Sequence, residues 1–209
     1  NMVKDGWNGF NVLHVDAGQV AALDLGLTKS GDLAQQDVVY LLNVDSESVN
    51  SRMRKDAFVI YQGHHGDAGA ARADVILPGA AYTEKDGLYV NTEGRLQMAK
   101  KAVTAPGEAR EDWKVFRALS DLVGKPLPYN NLFQLRQRLV NEFQPFGHID
   151  RIVPSAWKPF GKSGAVKADA FRSPVTNFYF TNVITRASAT MAKCVATPSG
   201  RPLDVEAAE

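Results

Sequence analysis

The stretch DVVYLLNVDSESVNSRMRKDAFVIYQGHHGDAGAARADVILPG, Asp37 to Gly79, decides the fold. It holds three short apolar runs, Asp37–Asp45, Ala57–Gly63 and Ala73–Gly79, rich in β-branched and aromatic residues. The first predicts a strand buried on both faces, because it is near-continuously apolar rather than alternating. The intervening segments SESVNSRMRK and HHGDAGAARA are each long enough for one or two helical turns. Strands that alternate with short helical connections predict a parallel sheet in an α/β layer architecture.

Downstream, YTEKDGLYVNTEGRLQMAKKAV reads as a turn, a short strand LYVN and a second turn at Gly94, leading into LQMAKKAV. A helix follows in EAREDWKVFRALSDLVGK, with Trp113, Phe116, Leu119, Leu122 and Val123 on one face and Gly124 and Pro126 as the stop. A second helix is predicted in NLFQLRQRLVNEF, where Leu132, Leu135, Leu139 and Phe143 form the apolar stripe. Upstream, Trp7 to Leu27 mixes apolar residues with breakers and reads as a short helix or covering loop. Beyond Gly147, prolines 154, 159 and 174 and scattered aromatics predict an extended tail, with a last short helix in Ile184–Cys194. The boundary is placed at 143, giving an α/β domain over 1–143 and a surface-packing segment over 144–209.

Composition excludes several classes of function. With 24 basic and 23 acidic residues the net charge is +1, which supplies no field for nucleic acid. No apolar run approaches the roughly 20 residues of a spanning helix. The single cysteine, Cys194, cannot form an internal disulfide or hold an iron-sulfur cluster alone, since a cluster takes four thiolates. It lies beside Lys193 and reads as a packing residue.

Three groups carry candidate chemistry. His64 and His65 follow a strand end, where ligands of open α/β sheets sit, and Asp67 is the nearby carboxylate. Adjacent histidines on a turn point in different directions, so packing is the default reading over a metal site. Glycines 63, 66 and 69 recur every third residue but miss the first spacing of G-x-G-x-x-G. They read as turn glycines, with a phosphate at the helix start as the alternative. Glu84, Lys85, Asp86, Glu93 and Arg95 offer an acid/base set by proximity along the chain alone, and ahead of it stands the reading of Glu93 and Arg95 as structural ion pairs or turn caps beside Gly87 and Gly94. Arg95 in particular is expected to hold a partly buried carboxylate or backbone carbonyls.

The residues YQGHHGDAGAARADVILPGAAYTEKDGLYVNTEGRLQMAKKAV and GEAREDWKVFRALSDLVG resemble the C-terminal part of the large iron-sulfur subunit of respiratory complex I, the NADH:ubiquinone oxidoreductase. ADVILPGAAYTEKDGLYVNTEGR is similar, more loosely, to the wider molybdopterin oxidoreductase superfamily. WNGFNVLHVDAGQVAALDLG and TNVITRASATMAKC extend the complex I likeness to most of the chain.

This resemblance implies a three-layer domain of molybdopterin-oxidoreductase type, with a mainly parallel sheet completed by a companion chain. It implies a scaffold that supports electron transfer from NADH to quinone, with no catalytic, cofactor-binding or metal-ligating residue and no pterin of its own. Iron-sulfur clusters are expected on a companion chain carrying the N-terminal part of the same subunit. Other peripheral-arm subunits would be partners, without nucleic acid or direct membrane insertion. The implied place is the matrix side of the mitochondrial inner membrane, or the cytoplasmic side in a bacterium. Two alternatives stand beside this reading. One is part of a molybdopterin-dependent oxidoreductase of the formate dehydrogenase type, and the other an independent small-molecule enzyme built on the His64–Gly69 turn.

Overall fold

The computed structural model describes residues 3–4, 7–8, 12–14, 16–27, 31–154, 164–165, 168–170, 175 and 177–199. The chain divides into two compact units, Asn1–Gly31 with Pro78–Lys158, and Asp32–Leu77 with Pro159–Glu209.

The first unit opens with two-residue strands β1 (Val3–Lys4) and β2 (Trp7–Asn8), paired antiparallel, a pairing too short to show in the sequence. The helix α1 (Gln19–Asp24) follows. In the second unit lie β3 (Val38–Leu42), α2 (Glu47–Asn50), β4 (Phe58–Gly63) and α3 (Ala68–Arg72), leading into β5 (Val75–Pro78). The sheet order is β3-β4-β5, with β3 and β4 parallel and Val39 opposite Val59. The strand–helix–strand reading of Asp37–Gly79 is therefore what the chain adopts.

One expectation needs correction. β3 is buried on one face, not two. Val39 and Leu41 form a core with Met53, Ala57, Val59 and Tyr61, covered by Val49 of α2 and Ala70 of α3. On the opposite face Val38 is 59% exposed, Leu42 38% and Phe58 46%. An apolar run reports that both faces are able to bury, whereas burial itself requires a covering layer, and both helices pack on the same side.

The edge of this core is held by one long side chain. The Arg72 guanidinium at the end of α3 donates to the carbonyls of Arg54, Lys55 and Ala57, at 3.2, 3.0 and 3.0 Å. It gathers the loop entering β4, whose carbonyls have no ladder partner there.

The first unit continues with β6 (Gly87–Val90) and β7 (Leu96–Ala99), an antiparallel hairpin in which Val90 faces Leu96. The sequence pattern marks β6 but not β7, because LQMA lacks the β-branched residues that signal strands. Val90 and Leu96 are buried with Phe146 from the turn just past residue 143, so that residue packs with the hairpin.

The helix α4 (Asp112–Leu122) ends as expected at Gly124, whose φ of +69° suits glycine. Lys125 N–H donates to Ser120 C=O and Gly124 N–H to Asp121 C=O, the paired bonds of a Schellman end. Its predicted face is only partly right: Leu122 and Val123 are 85% and 60% exposed. In α5 (Leu132–Glu142) the stripe Leu132, Leu135, Leu139 and Phe143 is half-buried throughout. Asn131 caps that helix by accepting the Gln134 N–H at 2.9 Å.

The last predicted helix is two: α6 (Val183–Arg186) and α7 (Ala189–Ser199). α6 begins in a reciprocal cap between Asn182 and Thr185. Most of the tail between Pro154 and Asn177, expected to run extended, lies outside the described residues. Among the described residues no helix is long and apolar enough to cross a membrane.

Candidate functional site

The parallel strands β3 and β4 end side by side, and the loops leaving them place Asp45, His64, His65 and Asp67 at the same end of the sheet. That end is where open α/β sheets bind ligands. What fills it is mainly the side chain of Tyr61, 2% exposed. Its hydroxyl donates to the His65 carbonyl at 2.6 Å and reaches the Asp45 carboxylate at 3.4 Å. Burial, then the negative charge of Asp45, pushes the phenol up to about 12.

The glycines are explained by this ring. A Cβ at Gly69 would lie 2.5 Å from the Val44 carbonyl oxygen and 3.1 Å from the Tyr61 ring. A Cβ at Gly63 would collide with the Tyr61 hydroxyl, whereas at Gly66 the nearest atom is 3.5 Å away. Glycine is therefore demanded at 63 and 69 by close packing, and φ plays no part, since neither residue has a positive φ.

The start of α3 already has an anionic partner from the chain itself. Asp45 Oδ1 accepts the Gly69 N–H at 2.5 Å, so a carboxylate of the chain itself occupies the start of α3. The Asp67 carboxylate lies beside it. A phosphate brought to this turn would have to displace the Asp45 carboxylate from the Gly69 N–H.

Asp67 is satisfied from far along the chain. Arg186 Nε donates to Asp67 Oδ2 at 2.7 Å, and a terminal guanidinium nitrogen donates to the Asp45 carbonyl at 3.3 Å. His64 and His65 meet at Nδ1···Nδ1 3.0 Å with rings nearly perpendicular, so each imidazole is directed at the other. Among the described residues no three His, Cys, Asp or Glu side chains gather as metal ligands. Sequence reasoning singles out His64, His65 and Asp67 but misses Asp45, Tyr61 and Arg186. The one available signal is Asp45 at the carboxyl end of a predicted strand.

The raised Tyr61 pKa gives a pH dependence with a definite sign. The folded state keeps the phenol proton to about 12 while an unfolded tyrosine loses it near 10. Above about pH 10 the unfolded state binds fewer protons, so stability falls as pH rises through that window. Tyr61→Phe should flatten this alkaline decline in a denaturation series, and an unchanged slope would contradict the assignment.

The charged residues of the 77–97 loop do not converge. Glu84 accepts the Ala81 N–H at 2.9 Å, while Lys85 pairs with Asp112 at the start of α4 with both side chains mostly buried. Asp86 accepts the Lys101 N–H at 2.8 Å, which holds its carboxyl below the usual range. Asn91 accepts the N–H groups of Glu93 and Arg95, closing a hairpin turn in which Gly94 has φ +82°. Arg95 donates to the Asp150 carbonyl at 2.8 Å and stands 3.8 Å from Glu93, with side chains 37% and 64% exposed.

Of the two partners expected for Arg95, a partly buried carboxylate or backbone carbonyls, the structure shows the second, the Asp150 carbonyl. The ion pair is exposed and loose, so the carbonyl bond carries the contact. Arg95→Ala should cost about 1 kcal/mol, from one hydrogen bond and a screened pair. Chemical denaturation checks this, and a loss several times larger would restore the buried-pair reading.

Comparison with known proteins gives two family matches in order along the chain. The family described as molybdopterin oxidoreductase matches residues 1–122, and that described as the C-terminal region of the NADH-ubiquinone oxidoreductase G-subunit matches residues 153–194. The mitochondrial NADH-ubiquinone oxidoreductase 78 kDa subunit of Candida albicans is 48% identical over 91% of the chain and 28% of its own length. The NADH-quinone oxidoreductase G-subunit of Rickettsia conorii is 42% identical over 98% of the chain and 30% of its own length. The mitochondrial NADH dehydrogenase [ubiquinone] iron-sulfur protein 1 of Solanum tuberosum is 45% identical over 94% and 27%. The chain thus spans less than a third of the length of these relatives, each of which carries the corresponding stretch within a longer protein.

Proposed function

Because this chain belongs to the molybdopterin oxidoreductase family, we propose that it forms the C-terminal scaffold portion of the large iron-sulfur subunit of respiratory complex I. It carries no reacting group. Electrons pass from NADH towards quinone through iron-sulfur clusters on a companion portion of that subunit, outside these 209 residues. The same companion portion covers the exposed apolar face of the sheet at Val38, Leu42 and Phe58, which a separate soluble domain would hide. The assembled subunit sits in the peripheral arm, on the matrix side of the mitochondrial inner membrane, against other complex I subunits.

The observation that carries this reading is the order of the two family matches. Arg186, within the second, clasps Asp67 and the Asp45 carbonyl, within the first, so the two matched segments share one site. A pterin enzyme is the weaker reading, because the Gly63–Gly69 turn is filled by Tyr61 and faced by the Asp45 carboxylate.

Affinity purification of the tagged chain from its own cells, followed by mass spectrometry, tests the proposal. Complex I subunits, the iron-sulfur portion among them, should be recovered in stoichiometric amounts. Recovery without them, or with bound molybdenum, would overturn it.

A further inference from the structure

The carboxyl end of the parallel sheet and the segment that reaches it are each organised by their own hydrogen bonds. At the sheet end, α3 begins at Asp67, an N-cap residue of the type whose side chain ordinarily turns inward to accept an N–H of the first turn. Here the Asp67 side chain does not cap the helix. That place is filled from another strand end, because Asp45 Oδ1 accepts the Gly69 N–H at 2.5 Å. The Tyr61 hydroxyl steadies the same turn through the His65 carbonyl. The Asp67 carboxylate is thereby left to accept the Arg186 Nε–H at 2.7 Å, and the Asp45 carbonyl accepts from a terminal nitrogen of the same guanidinium at 3.3 Å.

The other half is the segment from Asn177 to Ala187. Asn177 Oδ1 accepts the Tyr179 and Phe180 N–H groups at 2.8 and 3.0 Å, the side-chain turn that asparagine favours. Asn182 and Thr185 then cap α6 reciprocally, and Arg186 is its last residue. A single helical turn has little stability of its own, so these local bonds set the direction in which Arg186 leaves the segment. The ion pair that joins the two halves is open to water, with Arg186 34% and Asp67 42% exposed, and a pair so placed is weak enough to separate.

We propose that Arg186 and the Asp45–Asp67 turn form a detachable clasp, and that Asn177–Ala187 is a strap closing over the carboxyl end of the sheet, which opens as a unit while the strands stay paired. The acceptor half is built by β3, β4 and α3 without the strap, and the strap is shaped by its own caps without the sheet. A guanidinium suits the junction because its planar fork reaches a carboxylate and a carbonyl at once, which a point-charge ammonium does less well. The strap lies where open α/β sheets take ligands, so in its closed position it shuts that end with a side chain of the chain itself. Opening of one segment over an intact core is the ordinary behaviour of the less stable parts of a fold. This inference does not depend on the complex I assignment.

Hydrogen exchange read by mass spectrometry, on the full chain as purified with its partners, tests the clasp by comparing amides of 177–187 with those of β3 and β4. Arg186→Ala should exchange about fivefold faster in the strap and at an unchanged rate in the strands, the factor expected for one exposed pair with its charge-assisted hydrogen bonds. Asp67→Ala should do the same. The double variant should be no faster than either single one, because both remove one shared contact. Arg186→Lys should fall between Arg186→Ala and the unaltered chain. Unchanged strap exchange in Arg186→Ala, strands that speed up with the strap, or additive effects in the double variant would each overturn the proposal. Failure of Arg186→Ala to accumulate would also overturn it, since the sheet would then need the strap. All these outcomes are read whether or not complex I subunits accompany the chain, so failure of the clasp and failure of the functional assignment are told apart.

Discussion

Tyr61→Ala should destabilise the chain by about 3 to 5 kcal/mol, the range for removing a buried aromatic side chain. The ring is almost wholly enclosed in the core with Val39, Leu41 and Val59. The cost is more than a void. The Tyr61 hydroxyl holds the His65 carbonyl and reaches Asp45, so its loss strips a donor from two part-buried acceptors at once. Tyr61→Phe separates the contributions: it keeps the packing and should cost only about 1 kcal/mol. Equal losses for the two variants in urea denaturation would show that the hydroxyl, not the ring, is what matters.

Gly69→Val should be almost as damaging, at about 3 kcal/mol, the upper part of the range for forcing extra atoms into a packed site. The obstruction at Gly69 is the Val44 backbone carbonyl at 2.5 Å, which cannot swing aside as a flexible side chain does. Moving it displaces Asp45 and breaks the 2.5 Å bond to the Gly69 N–H. Gly66→Ala is the internal control. Its added methyl meets only the Ala70 Cβ at 3.5 Å, an ordinary contact, and should be close to neutral. If both variants melted together, spacing along the chain rather than packing would explain these glycines.

The fold is legible where local pattern and tertiary role agree. The three strands of the central sheet, the stripe of α5 and the glycine stop of α4 follow from period and turn chemistry alone. The failures have one physical origin. Periodicity says which face of an element is apolar, not what covers it. That is why Val38 of β3 and Leu122 of α4 are expected inside and are exposed. β7 escapes because its residues have weak strand preference, and its place is fixed by pairing with β6 across the Asn91–Gly94 turn.

The candidate site is legible only in part, for a related reason. His64, His65 and Asp67 lie together in sequence and stand out. Asp45 is 16 residues before Tyr61, and Arg186 is 119 after Asp67, and no local rule joins them. Their meeting depends on two parallel strands ending level and on the docking of α6. Arg95 shows the converse: adjacency to Glu93 suggests a strong pair, but the strength of a pair depends on burial, which adjacency does not report.

The central claim is that these residues support assembly and leave electron transfer to other parts of the complex. Its most direct test is NADH oxidation per assembled copy of the complex carrying Gly69→Val, with assembled complex quantified on native gels. The account predicts markedly less assembled complex and an unchanged rate for each copy that forms. Normal amounts of complex turning over slowly would contradict it and would place the Tyr61–Asp45–Arg186 cluster in the working path of the enzyme.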